Sequence, residues 1–130
     1  MLVDLPGYGF AQAAKRDVAA WTGLTRRYLR GRASLRRVLL LIDARHGFKE
    51  ADRPITEMLD EAAVSYQIVL TKIDEMKPGE LARRVEQVAA DARRHVAAHP
   101  VIHLTSAREG TGIAALRAAL AALAAPPPAR

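Results

Sequence analysis

The chain has 130 residues, 50% of them apolar, enough for one ordinary domain with one core and too few for two. No apolar run approaches the roughly 20 residues that span a bilayer, the N-terminus lacks the basic, apolar and small-residue order of a signal peptide, and zero cysteines exclude disulfides, thiolate metal sites and cysteine nucleophiles. The chain therefore reads as cytoplasmic with no membrane partner, and its charge of +6, from 20 Lys and Arg against 14 Asp and Glu, favours an anionic partner such as RNA or a nucleotide.

Met1 to Leu5 read as the end of a strand. Val18, Trp21, Leu24 and Tyr28 then recur at helical spacing and stop near Gly31. VLLLID, Val38 to Asp43, is the continuous apolar run of a strand buried on both faces. Ile55, Met58, Leu59 and Ala62 stripe a helix that tolerates Pro54 in its first turn. YQIVLTK, Tyr66 to Lys72, repeats the strand pattern. Leu81, Val85, Val88, Ala92 and Val96 mark a helix started by Pro78 and stopped before Pro100. VIHLT, Val101 to Thr105, is the next strand, and Ile113, Leu116, Leu120 and Leu123 form the last helix. The tail at residues 125–130, APPPAR, cannot continue a helix and is expected to be disordered polyproline II. Strands alternating with helices predict βαβ units and a mostly parallel sheet with helices on its faces.

Ligands of such sheets bind beyond the carboxyl ends of the strands. Three of these ends are polar: Asp4-Leu5-Pro6-Gly7, Thr71-Lys72-Ile73-Asp74 and Thr105-Ser106-Ala107. Each has an ordinary explanation by itself, since Asp-x-x-Gly recurs by chance, Asp74 suits a helix N-cap and Lys72 a solvated surface. In this order and spacing they resemble the third, fourth and fifth motifs of the P-loop GTPases. A carboxylate at Asp74 matches the two donors on one edge of guanine, N1–H and the exocyclic amine. Lys72 has an apolar stem able to lie along a flat base. Ala107 would offer its backbone N–H to the guanine O6, and Ser106 would fix the turn. Such a fork discriminates against a base lacking the donors by about 10⁴-fold when buried groups are left unpaired. At the other end, Asp4 would face a magnesium ion through water, and Gly7 would let the backbone approach the γ-phosphate.

The finer match is narrower. DLPGYGFA, a Trp-containing helix, VLLLIDARHGFKEAD, IVLTKIDEMKPGEL and TSAREGTGIAALRAAL resemble the EngB (YihA/YsxC) family of bacterial GTPases over residues 1–124. The resemblance implies a three-layer α/β/α P-loop GTPase-like domain, probing guanine nucleotide with Asp4, Leu5, Pro6, Gly7, Thr71, Lys72, Ile73, Asp74, Thr105, Ser106 and Ala107. It also implies GTP or GDP as ligand, Mg2+ as cofactor, slow GTP hydrolysis, and a monomer acting on the large ribosomal subunit or its rRNA in assembly, needed for normal division and septation. Tyr8 stands where Ras-like enzymes place a glutamine that orients the attacking water, and it cannot do that work. Asp43-Ala44-Arg45-His46 belongs to the resemblance without an assigned role.

One part of the pattern is missing. None of the eight glycines begins or completes G-x-x-x-x-G-K-[ST], the phosphate-cradling loop. The expectation is an N-terminally truncated member beginning at an internal Met1, with an incomplete sheet lacking the P-loop strand and its neighbours. Such a chain is expected to be poorly stable or rearranged, with MLVDL beside VLLLID, and to bind nucleotide weakly and be inactive alone. The alternative is a nucleotide-independent basic RNA-binding or scaffold fragment. RRYLRGRASLRR packs six arginines around one tyrosine, and Arg26, Arg27 and Arg30 are its candidate RNA contacts. His95 and His99, four apart, read as a surface pair near a helix C-terminus and not as a zinc site.

Overall fold

The computed structural model describes residues 2, 23, 27–29 and 35–126. Asp4 to Gly7, the rest of the first predicted strand except Leu2, most of the tryptophan helix, and Arg26 and Arg30 lie outside these residues. In chain order the elements are strand β1 (Val38–Asp43), a 3-10 turn (Glu50–Asp52), helix α1 (Arg53–Glu61), strand β2 (Tyr66–Thr71), a second 3-10 turn (Ile73–Glu75), helix α2 (Pro78–Ala92), strand β3 (His103–Leu104) and helix α3 (Ile113–Ala124). No described helix is long and apolar enough to cross a membrane.

The sheet is parallel, in the order β1-β2-β3. Val38 lies opposite Tyr66 and Asp43 opposite Thr71, so β1 and β2 end at the same level; Leu70 lies opposite Leu104. The middle strand has Tyr66 to Leu70 all buried, which is why YQIVL has no polar alternation. The core forms on one face, where the even-numbered Leu40, Ile42, Tyr66, Ile68 and Leu70 meet Ile55, Met58 and Leu59 of α1 and Val88 and Ala92 of α2. Residues three and four apart on each helix share one side, which places these apolar stripes against the sheet. Leu29, from the arginine-rich segment, also enters this core.

Three expectations need correction. First, β1 is not buried on both faces: Leu41 is 62% exposed, because its side chain points away from the face that α1 and α2 cover. Second, the stripe through Val96 does not stay helical. Helix α2 ends at Ala92, and Val96 is 92% exposed. The competing pull comes from Asp60 at the end of α1: its Oδ1 accepts the Ala97 N–H at 3.0 Å, and its Oδ2 lies 2.6 Å from His95 Nδ1. Ala97 then gives its carbonyl to Tyr66 N at 3.0 Å, so residues 95–98 form a turn that ends in a single parallel bridge between Ala98 and Tyr66 of β2. His95 and His99 consequently do not share a helix face, and His95 is a half-buried partner of Asp60. Third, β3 is two residues long instead of five. Pro100 has no N–H to continue the ladder, and the side chain of Gln67 takes over by donating Nε2 to the Val101 carbonyl at 2.8 Å.

Candidate functional site at the carboxyl ends of the strands

The ends of β2 and β3 are bound to each other before any ligand is considered. Thr105 N–H donates to Leu70 O at 2.8 Å, and Thr105 Oγ1 donates to the same carbonyl at 3.0 Å. Ile73 N–H returns a bond to Thr105 O at 3.2 Å. Beyond them Ser106, fully buried, donates its hydroxyl to Asp74 Oδ1 at 2.7 Å and accepts the Glu109 N–H at 3.1 Å. Ser106 thus fixes both its own turn and the orientation of the Asp74 carboxylate. Asp74 is not a helix cap: the cap of α2 is Lys77, and Asp74 lies in the 3-10 turn before it.

Two backbone conformations shape these loops. Lys72 has φ 59 and ψ 36, the left-handed region that non-glycine residues seldom adopt, and this ends β2 and turns the chain into the 3-10 segment. Gly112 has φ 73, and a Cβ there would overlap the Leu104 carbonyl oxygen, so the loop from Ser106 can close over β3 only with glycine at this position.

The end of β1 contributes a charged turn. Asp43 O accepts the N–H groups of His46 at 3.1 Å and Gly47 at 3.0 Å. Its side chain accepts the Arg45 N–H at 3.0 Å through Oδ1, an Asx turn, and is gripped from the other side by the Arg45 guanidinium, with Nη2 2.7 Å from Oδ2. Lys72 Nζ lies 3.7 Å from the same Oδ2. The hydrogen bond from the Arg45 side chain is the main reason the Asp43 carboxyl is held down to about 2, with its backbone bond and the charges of Arg45 and Lys72 adding to it against partial burial. From α2, Arg84 donates to Arg45 O at 3.2 Å and His46 O at 3.3 Å, pinning the turn from outside.

The structure therefore brings Thr71, Lys72, Ile73 and Asp74 together with Thr105, Ser106 and Ala107. Lys72 and Ala107 are exposed, Asp74 and Thr71 are half-buried, and Ile73 packs its side chain against the core. Asp4, Leu5, Pro6 and Gly7 lie outside the described residues. Of the arginines, Arg27 is exposed on a helical segment, and Arg26 and Arg30 are outside. Sequence reading left Asp43 and Arg45 without a role, although Asp followed two residues later by Arg after a strand is a recognisable Asx-turn signal. Arg84 carries no such signal, because its partners are main-chain carbonyls about forty positions away, at |i−j| 39 and 38. Among the described residues, no group of three His, Cys, Asp or Glu could hold a metal ion.

No family model matches the chain. Among curated proteins it is 60% identical over 126 residues, 97% of its length, to the probable GTP-binding protein EngB of Rhodospirillum rubrum, of which it covers 54%. It is 57% identical over 122 residues to the probable GTP-binding protein EngB of Bradyrhizobium diazoefficiens, covering 94% of this chain and 56% of that one. Among solved structures, the apo form of translation elongation factor SelB from Methanococcus maripaludis superposes with a TM-score of 0.66 at 21% identity, over 84% of this chain and 24% of that one. That likeness concerns the fold, and a three-layer α/β/α arrangement fits it. Over the residues it shares with them, this chain is similar to these EngB proteins, and it spans about half the length of the curated relatives it matches.

Proposed function

We propose that this chain carries the base-reading part of a guanine-nucleotide site of EngB type. The observation that carries the reading is the 2.7 Å bond from Ser106 to Asp74, which aims one carboxylate across the joined ends of β2 and β3, beside the exposed Lys72. One Asp74 oxygen is engaged by the Ser106 hydroxyl, and the carboxylate retains acceptor capacity for guanine N1–H and the exocyclic amine. The Lys72 stem lies against the ring, the Ala107 N–H meets O6, and Thr71, Ile73 and Thr105 hold the loops in place. Leu5 and Pro6 carry the chain between Asp4 and Gly7 at the phosphate end. There Mg2+ would be held largely by phosphate oxygens, with Asp4 reaching it through water, a coordination suited to a hard cation that keeps part of its hydration. The ion would neutralise phosphate charge.

No G-x-x-x-x-G-K-[ST] stretch occurs in the 130 residues, so this chain by itself grips phosphate poorly and binds GTP or GDP weakly. In the complete protein the reading extends to slow GTP hydrolysis and to a monomeric switch in large ribosomal subunit assembly, with division and septation depending on it. A basic RNA contact through Arg27 and its neighbours Arg26 and Arg30 suits that setting and would also serve a nucleotide-independent RNA-binding fragment.

Titration of the chain with GDP, ADP and xanthosine diphosphate tests the reading. GDP is expected to bind more tightly than ADP. Asp74→Asn is expected to weaken GDP about 10- to 100-fold, the range for losing a hydrogen bond to a charged group, and to favour the xanthine nucleotide. Equal affinity for GDP and ADP overturns the base-reading proposal. Micromolar or tighter GDP binding overturns its claim that this chain holds phosphate poorly.

A further inference from the structure

We propose that Asp43 is a positioning residue for guanine-nucleotide binding: its carboxylate anchors the Lys72 ammonium, so that the lysine stem is held across the mouth of the base site. The inference rests on the reading of Asp74 and Lys72 given above and deepens it.

The register of the sheet supplies the juxtaposition. Asp43 pairs with Thr71 at the last position of the β1–β2 ladder, which puts its carboxylate beside the next residue, Lys72. The anchor is rigid in a way the lysine is not. Asp43 Oδ1 accepts from Arg45 N and Nε, each at 3.0 Å, and Oδ2 accepts from Arg45 Nη2 at 2.7 Å. Arg84 pins the carbonyls of Arg45 and His46, and Gly47, at φ 66, leaves the space that Arg84 fills: a Cβ there would sit 2.9 Å from Arg84 Nη1. The Asp43 side chain is 20% exposed and that of Lys72 59%. A lysine so exposed has several rotatable bonds and no packing to hold it. Its ion pair with Asp43, at 3.7 Å, is too long for a charge-assisted hydrogen bond and acts as a Coulombic tether.

Arg45 makes such an anchor compatible with a nucleotide. A second bare carboxylate near Asp74 would repel an anionic ligand. With Arg45 paired to Asp43 and Lys72 beside it, the group carries a net positive charge. The field of Asp74 also reaches Arg45, which places the guanidinium within the electrostatic neighbourhood of the base-reading carboxylate. Tethering a flexible side chain in its bound position raises affinity by lowering the ordering cost on binding.

Asp43→Asn separates this role from the turn, because the amide oxygen can still accept the Arg45 N–H while the charge is gone. Lys72→Met keeps the apolar stem and removes the ammonium, at an exposed position where folding is not at stake. NMR titrations of the whole 130-residue chain with GDP, and with inorganic pyrophosphate as a probe that has no base, read the outcome. Each single variant is expected to weaken GDP by about 2- to 5-fold, the range for one exposed ion pair. The double variant is expected to be no weaker than either single one, and pyrophosphate binding to be unchanged by Asp43→Asn. Additive losses, an equal loss toward pyrophosphate, or no effect of Lys72→Met would each overturn the positioning role while leaving the base site standing. A wild-type chain that does not prefer GDP to ADP removes the site itself, and the positioning role with it.

Discussion

Lys72 combines two properties that rarely meet in one residue, a left-handed backbone and an exposed cationic side chain. The backbone conformation costs an L-residue about 1 to 2 kcal/mol relative to ordinary geometry. Glycine would remove that strain, but it has neither the stem nor the charge that places an ammonium 3.7 Å from Asp43. Asp43 shows the complementary case, a carboxylate whose environment stabilises its charged form. Its ordinary value is 3.8 and its folded value about 2. The folded state therefore gains stability from this group above pH 3.8, and the gain is lost as pH falls through the folded value near 2. Arg45 is 42% exposed, so solvent screening reduces the gain to about 1 kcal/mol. Urea denaturation across this interval is expected to show a loss of that size, absent in Asp43→Asn. The types and spacing of Thr71 to Asp74 and Thr105 to Ala107 were legible in the sequence because each motif directly follows an apolar run. The bond between Asp74 and Ser106 was not, since it joins residues 32 positions apart.

Between elements, Asp60 has the widest reach. It lies on α1, yet it sets where α2 ends by engaging His95 and Ala97. Local periodicity favours one helix through Val96, and the tertiary contact prevails because it satisfies both carboxylate oxygens and pairs residues 97–99 with Tyr66. Burial of Tyr66, with the charge of Asp60 nearby, pushes its phenol well above the usual range, so the ring acts as a neutral core group. Asp60→Ala is expected to destabilise the fold by about 2 to 3 kcal/mol, the scale for losing hydrogen bonds to a charged group. Hydrogen exchange at Ala97 and Tyr66 should accelerate together with that loss. Unchanged protection there would show that residues 95–98 hold their place without Asp60. The shortening of β3 has a similar origin, since Pro100 has no N–H to give to the ladder and the Gln67 side chain, not the backbone, donates to the Val101 carbonyl.

For the molecule as a whole, the +6 charge is a statement about partners and not about the fold. If Arg26, Arg27 and Arg30 neutralise three phosphates of single-stranded RNA, affinity is expected to fall about 20-fold between about 50 and about 200 mM salt. Replacing all three arginines should flatten that dependence, and an unchanged slope would place the RNA contact elsewhere. The sequence by itself determined the α/β class, the strand–helix order, and which strand ends are polar, because hydrophobic period and turn residues are local signals written in consecutive positions. Only the tertiary structure decided that Asp60 stops α2, that Leu41 faces outward, that Ser106 aims Asp74, and that Asp43 stands beside Lys72. Each of these depends on residues far apart in the chain, whose meeting is set by sheet register and packing rather than by any pattern within one segment.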